Sequence, residues 1–295
     1  MTRPGLLDVS ARGRLLVRGA DRVRFLQGMV TNDVAALAEG ASFRAALLTA
    51  KGRVVADMLI RAQADGFLMT TEPSLRQKLR EALDHYIIMD DVTLEDVTDA
   101  SAEIALLGSG AAAAAASAGA SARTLVAPLG VHVVLPPVDA RAFADRLVAA
   151  GQAERIDAAA AEVMRIERGV SRYGAEISED VLPLEAGLDD ALSHTKGCYM
   201  GQEPVARVTA RGHVNKKVVG LVCGALPAPG DRVSVPERPE AGVVTSAAHS
   251  PRLGKPIALA FLHRSLWQPG TSVTVGAGTP ATVAALPFVG PEPLD

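Results

Sequence analysis

From residue 218 to residue 286 the chain carries six short apolar runs, at 218–223, 232–235, 242–247, 257–262, 272–275 and 282–286, each separated from the next by proline or glycine. Runs of this length are too short for amphipathic helices, and the breakers between them stop any helix from continuing. Short strands at even spacing with turn residues between them are the pattern of a small antiparallel β-barrel, which closes on itself and leaves no open edge. The last part of the chain, 212–295, is therefore expected to be a barrel of its own, and 1–211 a separate region. Cys223, beside Leu221 and Val222 in the first run, is expected to be a buried, inert thiol. His263, Arg264 and Trp267 are expected to mark the barrel rim.

The first 211 residues mix helical and strand patterns, which predicts an α+β fold. Residues 14–17 read as a strand, and Asp21 as the cap of a helix that holds Val23, Phe25, Leu26 and Met29. Residues 43–71 read as a strand meander with a hairpin signal at Asp65-Gly66. Residues 74–86 carry Leu75, Leu79, Leu83 and Tyr86 on one helical face, with Ser74 and Gln77 spaced as a capping box. Asp90-Asp91 reads as a solvated turn before a strand at 92–94. Ile104 to Ala113 imitates a dinucleotide fingerprint, but residues 125–135 supply no acid at the end of the following strand. His132 inside that strand reads as structural. A helix is expected over 139–151 and another from Asp157 to Arg168, stopped by Gly169.

Composition narrows the function classes. The 295 residues are 48% hydrophobic and 21% charged, as in a globular protein. A net charge of −3 and 3% aromatics argue against a direct nucleic-acid partner. Two cysteines suit a reducing compartment and cannot supply the four thiolates of an ordinary iron–sulfur cluster. No stably bound metal is expected, because the six histidines show no ligand spacing. No charge-free apolar stretch approaches the ~18 residues that cross a bilayer, and the N-terminus lacks a signal-peptide core, so the expectation is a cytoplasmic protein with no membrane partner.

Three positions carry chemistry. Asp57 is the one charge in Val54-Val55-Ala56-Asp57-Met58-Leu59-Ile60 and shares a strand face with Val55 and Leu59. It is either on the exposed face of a half-buried strand or a functional acid. Glu167 lies in the last turn of its helix, where an acid opposes the helix dipole. Either a salt bridge to Arg165 or Arg168 accounts for it, or a functional site does. Cys198 sits between Gly197 and Tyr199, two residues after Lys196, with His194 and Arg207 near in sequence. Nearby cations favour the thiolate, the nucleophilic form, whereas a tight turn can equally bury a thiol as a small hydrophobe. Pro204 suits the first turn of a short helix, with Glu203 as cap.

Lys196-Gly197-Cys198-Tyr199-Met200-Gly201-Gln202-Glu203 resembles the signature of the YgfZ family, folate-binding proteins related to the T-protein of the glycine cleavage system. Phe25 to Val34, Leu47 to Asp57, Arg165 to Gly174 and Pro183 to Leu188 resemble further motifs of the same family. The resemblance implies two interleaved α/β halves around a central folate pocket, followed by a C-terminal antiparallel β-barrel. It implies tetrahydrofolate or a one-carbon derivative as cofactor, bound by Glu167, Asp57, Tyr173, Tyr199 and Gln202, with thiol chemistry at Cys198 supported by Lys196. It implies a factor for assembly or repair of iron–sulfur proteins, with client or assembly proteins as partners and indirect support of tRNA modification. The alternative is a tetrahydrofolate-dependent aminomethyl or one-carbon transferase like the T-protein. That protein has two adjacent acids where this chain has Ala56-Asp57, a departure that bears on transfer chemistry.

Overall fold

A computed structural model describes residues 3–212 and 214–290. In chain order the elements begin with β1 (Gly5–Asp8), β2 (Gly13–Arg18), α1 (Arg22–Met29), β3 (Ser42–Leu48), β4 (Val54–Gln63), β5 (Gly66–Thr71), α2 (Arg76–Asp84) and β6 (Thr93–Asp96). They continue with β7 (Ala102–Leu107), α3 (Ala111–Ser117), β8 (Thr124–Ala127), β9 (Gly130–Leu135), α4 (Pro137–Ala149), β10 (Glu154–Arg155), α5 (Ala158–Glu167) and α6 (Gln202–Arg211). Six strands follow: β11 (Lys216–Cys223), β12 (Arg232–Val235), β13 (Arg238–Ser250), β14 (Lys255–His263), β15 (Ser272–Val275) and β16 (Thr279–Ala284). The chain forms two compact units. One holds residues 3–157 together with Asp190–Pro204, the other Ala158–Asp189 together with residues 205–290.

The first unit contains two five-stranded sheets, in the orders β3-β4-β5-β2-β6 and β10-β1-β7-β9-β8. The expected meander is β3-β4-β5, antiparallel throughout. Its second hairpin turns on Ala64-Asp65, because Gly66 already pairs with Gln63. Glycine is needed at 66 for another reason: a Cβ there would press on the Val17 carbonyl of β2. Leu79 and Leu83 of α2 are buried, as the helical spacing predicts. Three expectations give way. Asp21 does not cap α1; its carboxylate accepts from the Asp91 backbone N–H instead, at 2.9 Å. Ser74 and Gln77 form no capping box, because Pro73 starts a 3₁₀ turn that delays α2 to Arg76. Tyr86 lies beyond the helix end and is 42% exposed.

The strand–glycine–helix shape at 102–117 does form, with positive φ at Gly108 and Gly110. Its strand β7 is antiparallel to both β1 and β9, so the parallel βαβ unit of a dinucleotide site is absent there. The second sheet carries α3 and α4 over a core of Leu6, Ile104, Leu106, Val133, Phe143 and Leu147. His132 is structural: its Nδ1 lies 2.6 Å from Oε1 of fully buried Glu103.

In the second unit the six predicted runs are the six strands of a closed barrel, ordered β11-β14-β13-β12-β15-β16, with β16 returning to β11. The interior is filled by alternate residues such as Leu221, Val233, Val244, Ala260, Leu262, Val273 and Val283. Cys223 is buried with them, and burial pushes its thiol up to about 11. The helix predicted from Asp157 is α5, with Gly169 at φ +67° just past its end. No helix among the described residues is long and apolar enough to cross a membrane.

Candidate functional site

Asp57 stands on β4, the second strand of the first sheet. In the β3–β4 register Ala46 is its direct partner, which places Arg44 diagonally across on the same face. Arg44 Nη2 donates to Asp57 Oδ2 at 2.7 Å, with both side chains largely buried. Thr71 Oγ1 donates to the Asp57 backbone carbonyl at 2.7 Å. The other carboxylate oxygen, Oδ1, is buried and has no hydrogen-bond partner among the described residues. A second cation stands close by. The charges of Glu103, Glu72 and Asp57 raise the pKa of Arg12 although its burial acts in the opposite direction. Arg12 is itself ion-paired to Glu72 and Glu103.

The Lys196 stretch belongs to the same unit and is fixed at several points. Lys196 Nζ donates to the carbonyls of Val30 at 2.7 Å and Asn32 at 2.8 Å. Burial lowers this amine to about 8 against the favourable charge of Asp33. The ammonium also lies 5.2 Å from the ring centre of Tyr199, which is buried. Met200 N–H donates to the Gly28 carbonyl at 2.9 Å. Gly201 has φ +77°, and a Cβ on it would run into the Thr49 carbonyl of the β3–β4 turn. Of the two bracketing glycines only Gly201 is required in this way; a Cβ on Gly197 would meet nothing within 4 Å. Cys198 is exposed and makes no disulfide. Gln202 opens α6, its N–H on the Tyr199 carbonyl at 3.2 Å. Glu203 lies inside the first turn of α6 instead of capping it, and Pro204 follows in that turn.

Asn32 connects these two groups. Its side-chain N–H₂ donates to the Arg44 carbonyl at 2.8 Å and the Asp190 carbonyl at 3.2 Å, while its own carbonyl takes Lys196. Thr31 Oγ1 donates to the Ala191 carbonyl at 2.6 Å. A continuous chain of hydrogen bonds therefore runs Lys196–Asn32–Arg44–Asp57. Arg44 and Asn32 are absent from the residues singled out by sequence reasoning. The signal for Arg44 was available: with the turn at Ala50–Arg53, strand pairing sets the one cation of β3 diagonally opposite the one acid of β4.

The second unit holds Glu167 and Tyr173. Glu167 is 3% exposed at the end of α5, and Ser250 Oγ donates to its Oε1 at 2.5 Å. Its backbone carbonyl accepts from Phe288 N–H at 2.9 Å. Among the described residues it forms no ion pair. Arg165 is engaged instead with Glu162 and Glu176, at 2.7 and 2.9 Å, and Arg165 Nη2 donates to Ser246 Oγ at 2.6 Å. Tyr173 is half-buried at an isolated bridge to Ile177. Among the described residues no group of three or more His, Cys, Asp or Glu side chains is arranged to hold a metal ion.

Residues 1–124 match the model of the GCVT N-terminal domain, and residues 216–290 match the glycine cleavage T-protein C-terminal barrel domain. An aminomethyltransferase of Chlorobium chlorochromatii is 33% identical across 97% of this chain and 87% of its own length. The chain belongs to the glycine cleavage T-protein family. A second member, the aminomethyltransferase of Rubrobacter xylanophilus, is 33% identical over 97% of this chain and 83% of its own. The crystal structure of the glycine cleavage system aminomethyltransferase T of Bartonella henselae shares the fold, with a TM-score of 0.87 over 98% of this chain and 87% of that one at 24% identity. The T-protein-like fold, with mixed α/β sheets and a closed six-stranded C-terminal barrel, is the one expected from sequence. The match is to this broad family.

Proposed function

We propose that the chain binds tetrahydrofolate or one of its one-carbon derivatives and acts as a folate-dependent aminomethyl or one-carbon transferase. The observation that carries this reading is the open, buried Oδ1 of Asp57 in a chain whose relatives are named aminomethyltransferases. A buried carboxylate oxygen without a donor costs about 1–3 kcal/mol or more, so it is retained where a ligand supplies the donor. A reduced pterin, with several N–H groups on its ring edge, fits that need. Asp57 would accept one such N–H. When bound, tetrahydrofolate supplies the nitrogens that carry the one-carbon unit. Incubating the purified protein with tetrahydrofolate and an aminomethyl donor should yield methylenetetrahydrofolate. A rate equal to the protein-free control would remove the transferase reading. Glu167 of the second unit, held through Ser250, is a candidate folate ligand in its own right: Glu167→Gln should weaken tetrahydrofolate binding, and unchanged affinity would remove that role.

A second reading has its own observation. Cys198 is exposed and unpaired on a turn fixed by Lys196, Met200 and Gly201, in a motif that resembles the YgfZ signature. On this reading the folate-binding chain maintains iron–sulfur proteins, and Cys198 performs the thiol chemistry. The named relatives support the transferase over this alternative. The deciding measurement is the activity of an iron–sulfur dehydratase in stressed cells lacking the protein, complemented with wild type or Cys198→Ser. Rescue by wild type alone supports the thiol role, and equal rescue by both removes it.

A further inference from the structure

We propose that Arg44 is a positioning residue that turns Asp57 into a one-sided acceptor, and so selects for a ligand bearing an N–H or O–H donor at that point. This rests on the tetrahydrofolate reading for the identity of the ligand. For the geometry it rests on the first unit alone.

A free carboxylate can rotate and offer either oxygen to any donor. Here Arg44 Nη2 takes Oδ2 at 2.7 Å, and among the described residues Oδ1 is left without a partner in the interior. Arg44 cannot easily swing away. Its side chain is 9% exposed, its Nη1 stands 3.9 Å from Asp190 Oδ1, and its backbone carbonyl is held by Asn32. Asn32 is fixed in turn by Lys196. The guanidinium accordingly anchors Oδ2 by a directed N–H as well as neutralising the charge, and a lysine ammonium, a compact point charge, anchors it less directionally. The second nearby cation, Arg12, is committed to Glu72 and Glu103. The open feature at this point is thus an acceptor, and a ligand offering only acceptors there would face an unpaired buried oxygen.

The test is a titration of tetrahydrofolate, under anaerobic conditions, into wild type, Arg44→Met, Arg44→Lys, Asp57→Asn and the Arg44→Met/Asp57→Asn double variant. It is paired with crystal structures of wild type and Arg44→Met. The affinity of Arg44→Met should fall about tenfold to a hundredfold, the range of one lost charge-assisted hydrogen bond. Arg44→Lys keeps the charge, guards against a misfolded methionine variant and should fall between the two. The double variant should bind no more weakly than Asp57→Asn alone, because Arg44 acts through Asp57. In the crystals the Asp57 carboxylate should keep one orientation in wild type and lose it in Arg44→Met. Wild-type affinity in Arg44→Met, losses that multiply in the double variant, or an unchanged carboxylate orientation would each overturn the proposal. If wild type binds no tetrahydrofolate but the carboxylate still loses its orientation without Arg44, the positioning role stands and the folate reading fails.

Discussion

Glu103 and Asp57 are both strand carboxylates of the first unit, and both lie within reach of arginine, but their surroundings differ in one respect. Every oxygen of Glu103 is used. Oε1 meets His132 at 2.6 Å and Arg12 at 3.3 Å, while Oε2 meets Thr70 at 2.7 Å and Arg14 at 3.3 Å. Arg14 is equally saturated, donating to Thr98, Ser101, Ser10 and Arg12 carbonyls. Asp57 has one oxygen filled and one empty. A closed buried network is an element of structure, and a network with one member open is the form a binding site takes before its ligand arrives. Burial and charge alone do not separate the two.

The largest effect expected from this contrast is on folding. Glu103→Ala leaves Arg12, Arg14 and His132 facing an emptied site, and removing one partner of a buried ion pair costs about 3–5 kcal/mol. Urea unfolding should show that loss. A cost under about 1 kcal/mol, the range of an exposed pair, would mean that the network is not holding the sheets.

The same group sets an acid limb. Burial opposes ionisation of Glu103, but the hydrogen bond and charge of His132, the charge of Arg12 and the hydroxyl of Thr70 outweigh it and bring its pKa down from 4.5 to about 2. A depressed acid stabilises the fold above its unfolded value and loses that contribution as the pH falls through the folded one. Between about 4.5 and about 2, wild type should therefore lose stability more steeply than Glu103→Gln. Parallel curves would show that the carboxylate is not the group responsible.

A smaller effect is expected at the junction of the site. Lys196→Met leaves the Val30 and Asn32 carbonyls unpaired, at a cost of about 1–3 kcal/mol. Because the buried amine titrates near 8 and not 10.5, the folded state releases its proton first. Wild type should then gain stability relative to Lys196→Met as the pH rises from about 8 to about 10.5. The variant should also loosen the Cys198 turn, read as faster labelling or broader resonances there. No change in stability would reduce Lys196 to a surface contact.

How far the sequence alone reached follows from the range of each signal. The barrel was legible because strand period and turn residues are local, and each run from 218 onward became a strand. Asp57 was legible as an anomaly because period-two alternation puts a charge on an apolar face. Its Arg44 partner required strand register, which depends on where the hairpin turns. Ser250, which holds Glu167, lies 83 residues further along the chain, and Glu103 meets Arg14 across 89. No local pattern encodes contacts of that span. The caps at Asp21 and Ser74 failed for a related reason: the side chains that could cap were claimed by Asp91 or displaced by Pro73.

The smallest stability effect is the most informative one. Asp57→Asn removes the charge of the ion pair with Arg44, which taken alone destabilises. It also replaces a buried charged oxygen that has no donor, which taken alone stabilises. An asparagine can present its carbonyl to Arg44, leaving its amide where Oδ1 stood, equally unpaired but uncharged. Arg44 retains Asp190 within 3.9 Å, so it is not left beside no acid at all. The two opposed terms predict a change within about 1 kcal/mol, well below that of Glu103→Ala. Ligand affinity should move the other way, falling strongly, because an amide N–H₂ now faces the ligand donor. If Asp57→Asn unfolds the protein as Glu103→Ala does, Asp57 belongs to the scaffold, and the distinction between a closed and an open carboxylate does not locate the site. If it spares the fold and removes binding, the open oxygen was held at a standing cost to stability for the sake of the ligand.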